Sequence, residues 1–142
     1  MRYLFSLLLF LSVGFPSVGN AVDLESVFKY CSVWEKINYS YDERSSDDSA
    51  VIFCMGVARA FISGSRYNCS ARNYYWSRNE FETGAAFIGA SYGAFSNEIS
   101  AKQMAALLVK YARENPDKWD WAIAKAGPQI VEYFDNLECK PE

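Results

Sequence analysis

The chain has 142 residues, with 14 Lys and Arg against 17 Asp and Glu, four Cys, 17% aromatic residues and no histidine. The missing imidazole excludes a Ser-His-Asp or Cys-His nucleophile pair, a histidine general base and any zinc site that uses histidine. The net charge of −3, with no dense Lys/Arg cluster, argues against a nucleic-acid or anionic-membrane partner and leaves a protein or a small ligand.

Residues 1–21 read as a cleavable signal peptide. Arg2 gives a short positive start, the twelve residues from Leu4 to Phe15 are almost uninterruptedly apolar, and Gly19-Asn20-Ala21 places small residues where a signal peptidase reads. The run is shorter than the roughly 20 residues of a membrane span. The expectation is cleavage after Ala21, leaving residues 22–142 as one exported, periplasmic domain with no membrane association. Loss of Arg2 moves the charge from −3 to −4.

Apolar residues then recur at three and four rather than at two, the signature of helices. Residues 23–39 open on an Asp23 cap and carry Leu24, Val27, Phe28, Cys31, Trp34 and Ile37 on one stripe. Residues 40–49 form a polar, acidic loop. A second helix spans 48–64 on Val51, Cys54, Val57, Ala58, Phe61 and Ile62, with Gly64 as its stop. Residues 65–80 read as a loop rich in Asn, Arg and Tyr. Phe81, Ala85, Ile88 and Tyr92 suggest a short helix weakened by Gly84, Gly89 and Gly93. Ser100 and Gln103 form a capping box ahead of a helix buried through Met104, Leu107, Leu108 and Tyr111. A last helix runs from Asp117 through Trp119 and Ile123 to Ile130, Phe134 and Leu137, kinked or split at Pro128. The fold class expected is all-α: a single small bundle of four to five helices with two intramolecular disulfides.

Export makes the four Cys readable as two disulfides. If adjacent helices are antiparallel, Cys31 late in the first helix meets Cys54 early in the second, and Cys69 and Cys139 lie at the same end of the bundle. The other two pairings of four cysteines stay open at this level. Neither a Cys-x-x-Cys redox spacing nor a zinc-ligand cluster occurs, and no metal or cofactor is implied.

The order of these features resembles a known family. A leader precedes a helix with Cys31, a second helix begins Phe53-Cys54-Met55-Gly56-Val57-Ala58, a capped helix starts Ile99-Ser100-Ala101-Lys102-Gln103-Met104 and ends Tyr111-Ala112-Arg113-Glu114-Asn115-Pro116, and the last helix closes on Cys139. This resembles the resistance-associated and Tai-type immunity proteins of type VI secretion, over nearly all of residues 22–142. One departure is plain: that family's third cysteine falls just before the segment matched by Ile99-Ser100, where this chain has Phe95 and Asn97, and Cys69 lies about 30 residues earlier. The stretch 81–95 then reads as an insertion.

The resemblance implies a toxin inhibitor and no enzyme, whose partner is a peptidoglycan amidase effector covered at its active site. Two surfaces have the residue types for such binding. One is the aromatic loop Tyr67, Arg72, Tyr74, Tyr75, Trp76 and Arg78, which could equally cover the core beneath it. The other is the acidic loop Asp42, Glu43, Asp47 and Asp48, either a steering surface for a basic toxin or a plain solvated loop. A general exported binding module, such as an envelope stress chaperone or assembly factor, is the competing class, and apolar area in 81–95 leaves room for a homodimer. Glu114, Asp117 and Asp120 as a carboxylate pair for glycoside hydrolysis, Trp119 and Trp121 with Tyr75 and Trp76 as a sugar platform, and the three glycines as a phosphate cradle are weaker alternatives.

Overall fold

The apolar stripes become five α-helices in the computed structural model: α1 (Leu24–Lys36), α2 (Asp48–Trp76), α3 (Phe81–Ala86), α4 (Ala101–Glu114) and α5 (Ile123–Tyr133), with one 3-10 turn at Pro116–Lys118. The structure describes residues 22–36, 48–90, 92–134 and 137–140, and the five helices are those of the described residues. The leader and the loop residues 37–47 lie outside them.

Asp23 caps α1 as expected, its Oδ1 accepting the Ser26 amide at 2.8 Å. Leu24, Val27, Cys31 and Trp34 are buried along one stripe, each large aliphatic contributing roughly 1.5–3 kcal/mol. Helices α1, α2 and α4 pack pairwise against one another, and α5 joins α4. Their buried faces meet at Phe61, Met104, Leu108, Tyr111 and Ile130, with Phe95 from the intervening loop. Ser100 closes the predicted capping box on α4, with its side chain accepting from Gln103 N while the Gln103 side chain accepts from Ser100 N. Disulfides join Cys31 to Cys54 and Cys69 to Cys139, with Cα–Cα distances of 5.1 and 5.4 Å.

Several helix boundaries differ from the sequence reading: α3 ends at Ala86, short of Ile88 and Tyr92, and α5 ends at Tyr133, short of Leu137. Gly64 does not stop the second helix, which continues unbroken through 29 residues to Trp76. The helical period persists beyond Gly64, but apart from the disulfide-bonded Cys69 its buried side chains are polar: Ser65, Asn68 and Arg72 are all at least nine-tenths buried. Gly64 itself is a packing notch, since a Cβ there would sit 2.8 Å from the Tyr92 ring. The last helix does not begin at Asp117. Carbonyls of Trp119 and Trp121 accept from Glu25 N and Leu24 N, both at 3.0 Å, so they satisfy the open amide groups at the start of α1 and cannot continue a helix of their own.

Pro128 neither ends nor splits α5. A proline lacks the amide that would bond the carbonyl four residues earlier, and that carbonyl, on Ala124, accepts instead from Tyr92 N at 2.9 Å. The loop 92–95 is thereby locked between α5 and α2: Ser65 Oγ donates to Tyr92 O at 2.6 Å and Asn68 Nδ2 to Gly93 O at 2.7 Å. Tyr92 adopts φ +69°, a left-handed conformation uncommon for a bulky residue, and its neighbour Gly93 adopts φ +65°. Gly127 faces this crossing so closely that a Cβ on it would lie 2.2 Å from Tyr92 Cα.

Candidate functional site

Extension of α2 turns the expected aromatic loop into a helix end. Tyr67, Arg72, Tyr74, Tyr75 and Trp76 are all helical, and only Arg78 lies in the turn that follows. The helix stops where Asn79 takes φ +61°, a conformation asparagine tolerates, and Glu80 N returns to Tyr75 O at 3.0 Å. That turn folds α3 back onto the last turns of α2. Gly84 makes the fit, because a Cβ at this position would come within 2.1 Å of Trp76 Cδ1.

The result is an aromatic cluster in two parts, each with one cation on a ring. Trp76 meets Phe81 edge to face at 6.2 Å, and the Arg72 guanidinium lies 4.6 Å from the centre of the indole. Tyr75 stacks on Phe87 at 5.7 Å and meets Tyr74 edge to face at 5.3 Å, while Arg78 covers Tyr74 at 4.5 Å. Arg72 is 6% exposed, and burial lowers its pKa. Its Nε and Nη2 donate to Asn73 Oδ1 at 3.1 and 2.6 Å. Asn73 in turn donates to Lys140 O at 2.9 Å, beside the Cys69–Cys139 bridge.

The outer edge of this cluster faces water: Tyr74 is 51% exposed, Trp76 36% and Phe81 57%. Tyr67 is 70% exposed two turns earlier on α2 and shares no ring contact with the others among the described residues. The predicted residues therefore divide into an exposed Tyr74 covered by Arg78, a Trp76 edge backed by Arg72, a half-buried Tyr75 stacked on Phe87, and the separate Tyr67. Of the residues that complete the cluster, Phe81 entered the sequence reading only as part of the short helix and Phe87 was not singled out. Their only signal is aromatic character on either side of the small Gly84-Ala85-Ala86 run. Of the acidic loop, Asp42, Glu43 and Asp47 lie outside the described residues, and Asp48 is the first residue of α2.

The competing constellations find other partners. Glu114 accepts a hydrogen bond from Tyr133 OH, which raises the Tyr133 pKa; desolvation and the carboxylate charge add to the rise. Trp119 donates from Nε1 to Ala112 O at 2.7 Å and stacks on Phe28 at 5.3 Å, and Trp121 lies 4.3 Å from Lys125 Nζ. Gly84 and Gly93 each serve a close approach rather than a shared cradle. Among the described residues there is no group of three or more Cys, Asp or Glu placed to hold a metal, and no helix is long and apolar enough to cross a membrane. Compared with family models, with curated proteins and with solved structures, the chain matches none.

Proposed function

We propose that this chain is an exported, non-catalytic inhibitor, a periplasmic immunity protein that binds a peptidoglycan amidase delivered by type VI secretion and covers its active-site cleft. The observation that carries a binding role is an aromatic ridge around the end of α2, with the exposed Tyr74 under Arg78 on one side and the exposed Trp76 and Phe81 on another. Tyrosine, tryptophan and arginine are the types that dominate binding hot spots, and an exposed aromatic patch on a small domain marks an interaction surface. Rigid anchoring favours tight occlusion of one partner, because little side-chain freedom is lost on binding. Here a disulfide, a helix end and a cation–aromatic layer hold the ridge. Two disulfides suit an oxidising compartment, and the order of elements along the chain supports the amidase as the target.

The mechanism is steric. The ridge enters the cleft of the hydrolase and excludes its substrate, with no reaction on the inhibitor's side. The test is titration of purified wall amidases with the oxidised protein while hydrolysis is followed. Stoichiometric inhibition of one amidase is expected. Trp76→Ala and the more exposed Tyr74→Ala should each weaken it by more than about 1 kcal/mol, roughly fivefold, with unchanged thermal unfolding for Tyr74→Ala. Weak binding to many unrelated proteins, unaffected by either substitution, would replace this reading with a general envelope chaperone.

A further inference from the structure

Between Ser49 and Asn79 the only charged residues are Arg59, Arg66, Arg72 and Arg78. The segment carries +4 in a chain of −3, which leaves −7 elsewhere. Among the described residues none of the four has a carboxylate partner. Arg66 Nη2 donates to Asn97 O at 3.2 Å, Arg72 and Arg78 are engaged as described, and Arg59 extends into solvent from an exposed position.

At 3.6 residues per turn, Ile52, Gly56, Arg59, Ser63, Arg66 and Ser70 share one side of α2, and all six are exposed. Ile52 is 69% exposed, and a Cβ on Gly56 would meet nothing within 4 Å, so the helix backbone is open to close approach here. Beside Gly56 a groove of about 280 Å³ runs between α2 and α5, walled by Val57, Ala60, Ile123 and Ala124 with Tyr92 at one side. The apolar slot thus borders the helix at Ala60, one position from Arg59, and Arg66 follows seven residues, or about 10 Å, further along the axis, where it lines a second surface pocket with Ser96 and Glu98.

We infer that this face docks an acidic protein segment, whose apolar side chain enters the groove while its carboxylates meet Arg59 and Arg66. Arginine pairs with carboxylates through two parallel hydrogen bonds, which fixes register as well as adding affinity. The −7 on the rest of the molecule, which includes Glu98 beside Arg66, repels an extended polyanion more strongly than a segment with two or three carboxylates placed against Arg59 and Arg66. The inference rests on the proposed function in taking the partner to be a protein. It adds that the partner must be acidic where it meets α2, between about two and five turns from the aromatic ridge.

The probe is a synthetic helical peptide with one leucine flanked by glutamates at three and four residues on each side, titrated into the labelled, oxidised protein and followed by amide shifts. Shifts are expected at Gly56, Arg59, Ala60, Ile123 and Ala124. Binding should fall at least roughly tenfold for the double variant Arg59→Glu and Arg66→Glu, and vanish for a peptide with lysine in place of glutamate. Equal binding of the lysine peptide, shifts confined to Trp76 and Phe81, or no shift at millimolar peptide overturns the proposal. Concentration-dependent shifts at Gly56 without peptide also overturn it, by assigning the face to a second copy. Trp76→Ala leaves this face untouched, so lost amidase inhibition in that variant and lost peptide binding in the arginine variant report on the two readings separately.

Discussion

Gly127 shows how one missing methyl group fixes the loop that closes the bundle. Its Cα hydrogens face the backbone of Tyr92, and an added Cβ would fall 2.2 Å from Cα and 2.5 Å from both C and N of that residue. These atoms belong to main chain held by hydrogen bonds to Ala124, Ser65 and Asn68, so they cannot swing aside as a side-chain tip would. Gly127→Ala should therefore cost about 3 kcal/mol or more, measured as a lower denaturation midpoint. A loss below 1 kcal/mol would mean that α5 and the loop are less tightly joined than the distances indicate. Tyr133 gives a second test at this scale. Its hydroxyl donates to Glu114, the first cause of its raised pKa. A phenol whose folded value exceeds its unfolded one, about 10, adds stability that is complete below the unfolded value and lost as pH rises through the folded one. Glu114→Gln should bring the Tyr133 titration down toward an ordinary tyrosine, read by ultraviolet difference absorbance, and should leave stability at neutral pH nearly unchanged because the ring is 44% exposed.

At the scale of elements, the capped α4 and the extended α2 behave differently under the same sequence rules. The Ser100–Gln103 box satisfies open amide groups that no other residue reaches. Ser100→Ala should cost about 1 kcal/mol, seen as a shifted urea midpoint with an unchanged slope. That helix was legible because its cap and its apolar stripe lie within one run of sequence. The second half of α2 was not, since apart from the disulfide-bonded Cys69 its buried face is Ser65, Asn68 and Arg72, and polar residues at helical spacing read as a loop. Their burial makes sense only once the carbonyls of Tyr92 and Gly93 are in place, and those arrive from more than 20 residues away. The break before α5 was hidden for the same reason: the carbonyls of Trp119 and Trp121 are claimed by the first turn of α1. As for the site, its residue types were legible and its geometry was not. Aromatic and arginine side chains could be named from the sequence, whereas the turn at Asn79 that folds Phe81 onto Trp76 depends on a single left-handed residue.

Across the whole molecule the two disulfides do unequal work. Cys31 and Cys54 are both fully buried, inside the contact between α1 and α2, and close a span of 23 residues. Cys139, by contrast, is only partly buried on a C-terminal segment, and its bridge to Cys69 closes a span of 70 residues. Chain entropy assigns roughly 3 kcal/mol to the shorter loop and about 4.5 to the longer, yet access runs the other way, because exchange requires a thiolate to reach a sulfur. Mild reduction at native pH should therefore open Cys69–Cys139 first, as read by alkylation and mass spectrometry. The consequence reaches the candidate site. The segment 137–140 is also held by the buried Leu137 and by hydrogen bonds near the surface: Ser96 N to Glu138 O at 2.9 Å, Glu138 N to Asn97 Oδ1 at 3.1 Å, Lys140 N to Ser96 Oγ at 3.1 Å and Asn73 Nδ2 to Lys140 O at 2.9 Å. Once the bridge opens, Lys140 is left with its surface hydrogen bonds alone, which loosens the anchor of Asn73 and the acceptor of Arg72, so the indole of Trp76 gains freedom while the α1–α2–α4 core stays folded. Singly reduced protein should retain its helical circular dichroism, show altered tryptophan fluorescence and bind its partner several-fold more weakly. Simultaneous loss of both bridges, with collapse of the helical signal, would show instead that the C-terminal staple is part of the core's own cooperative unit.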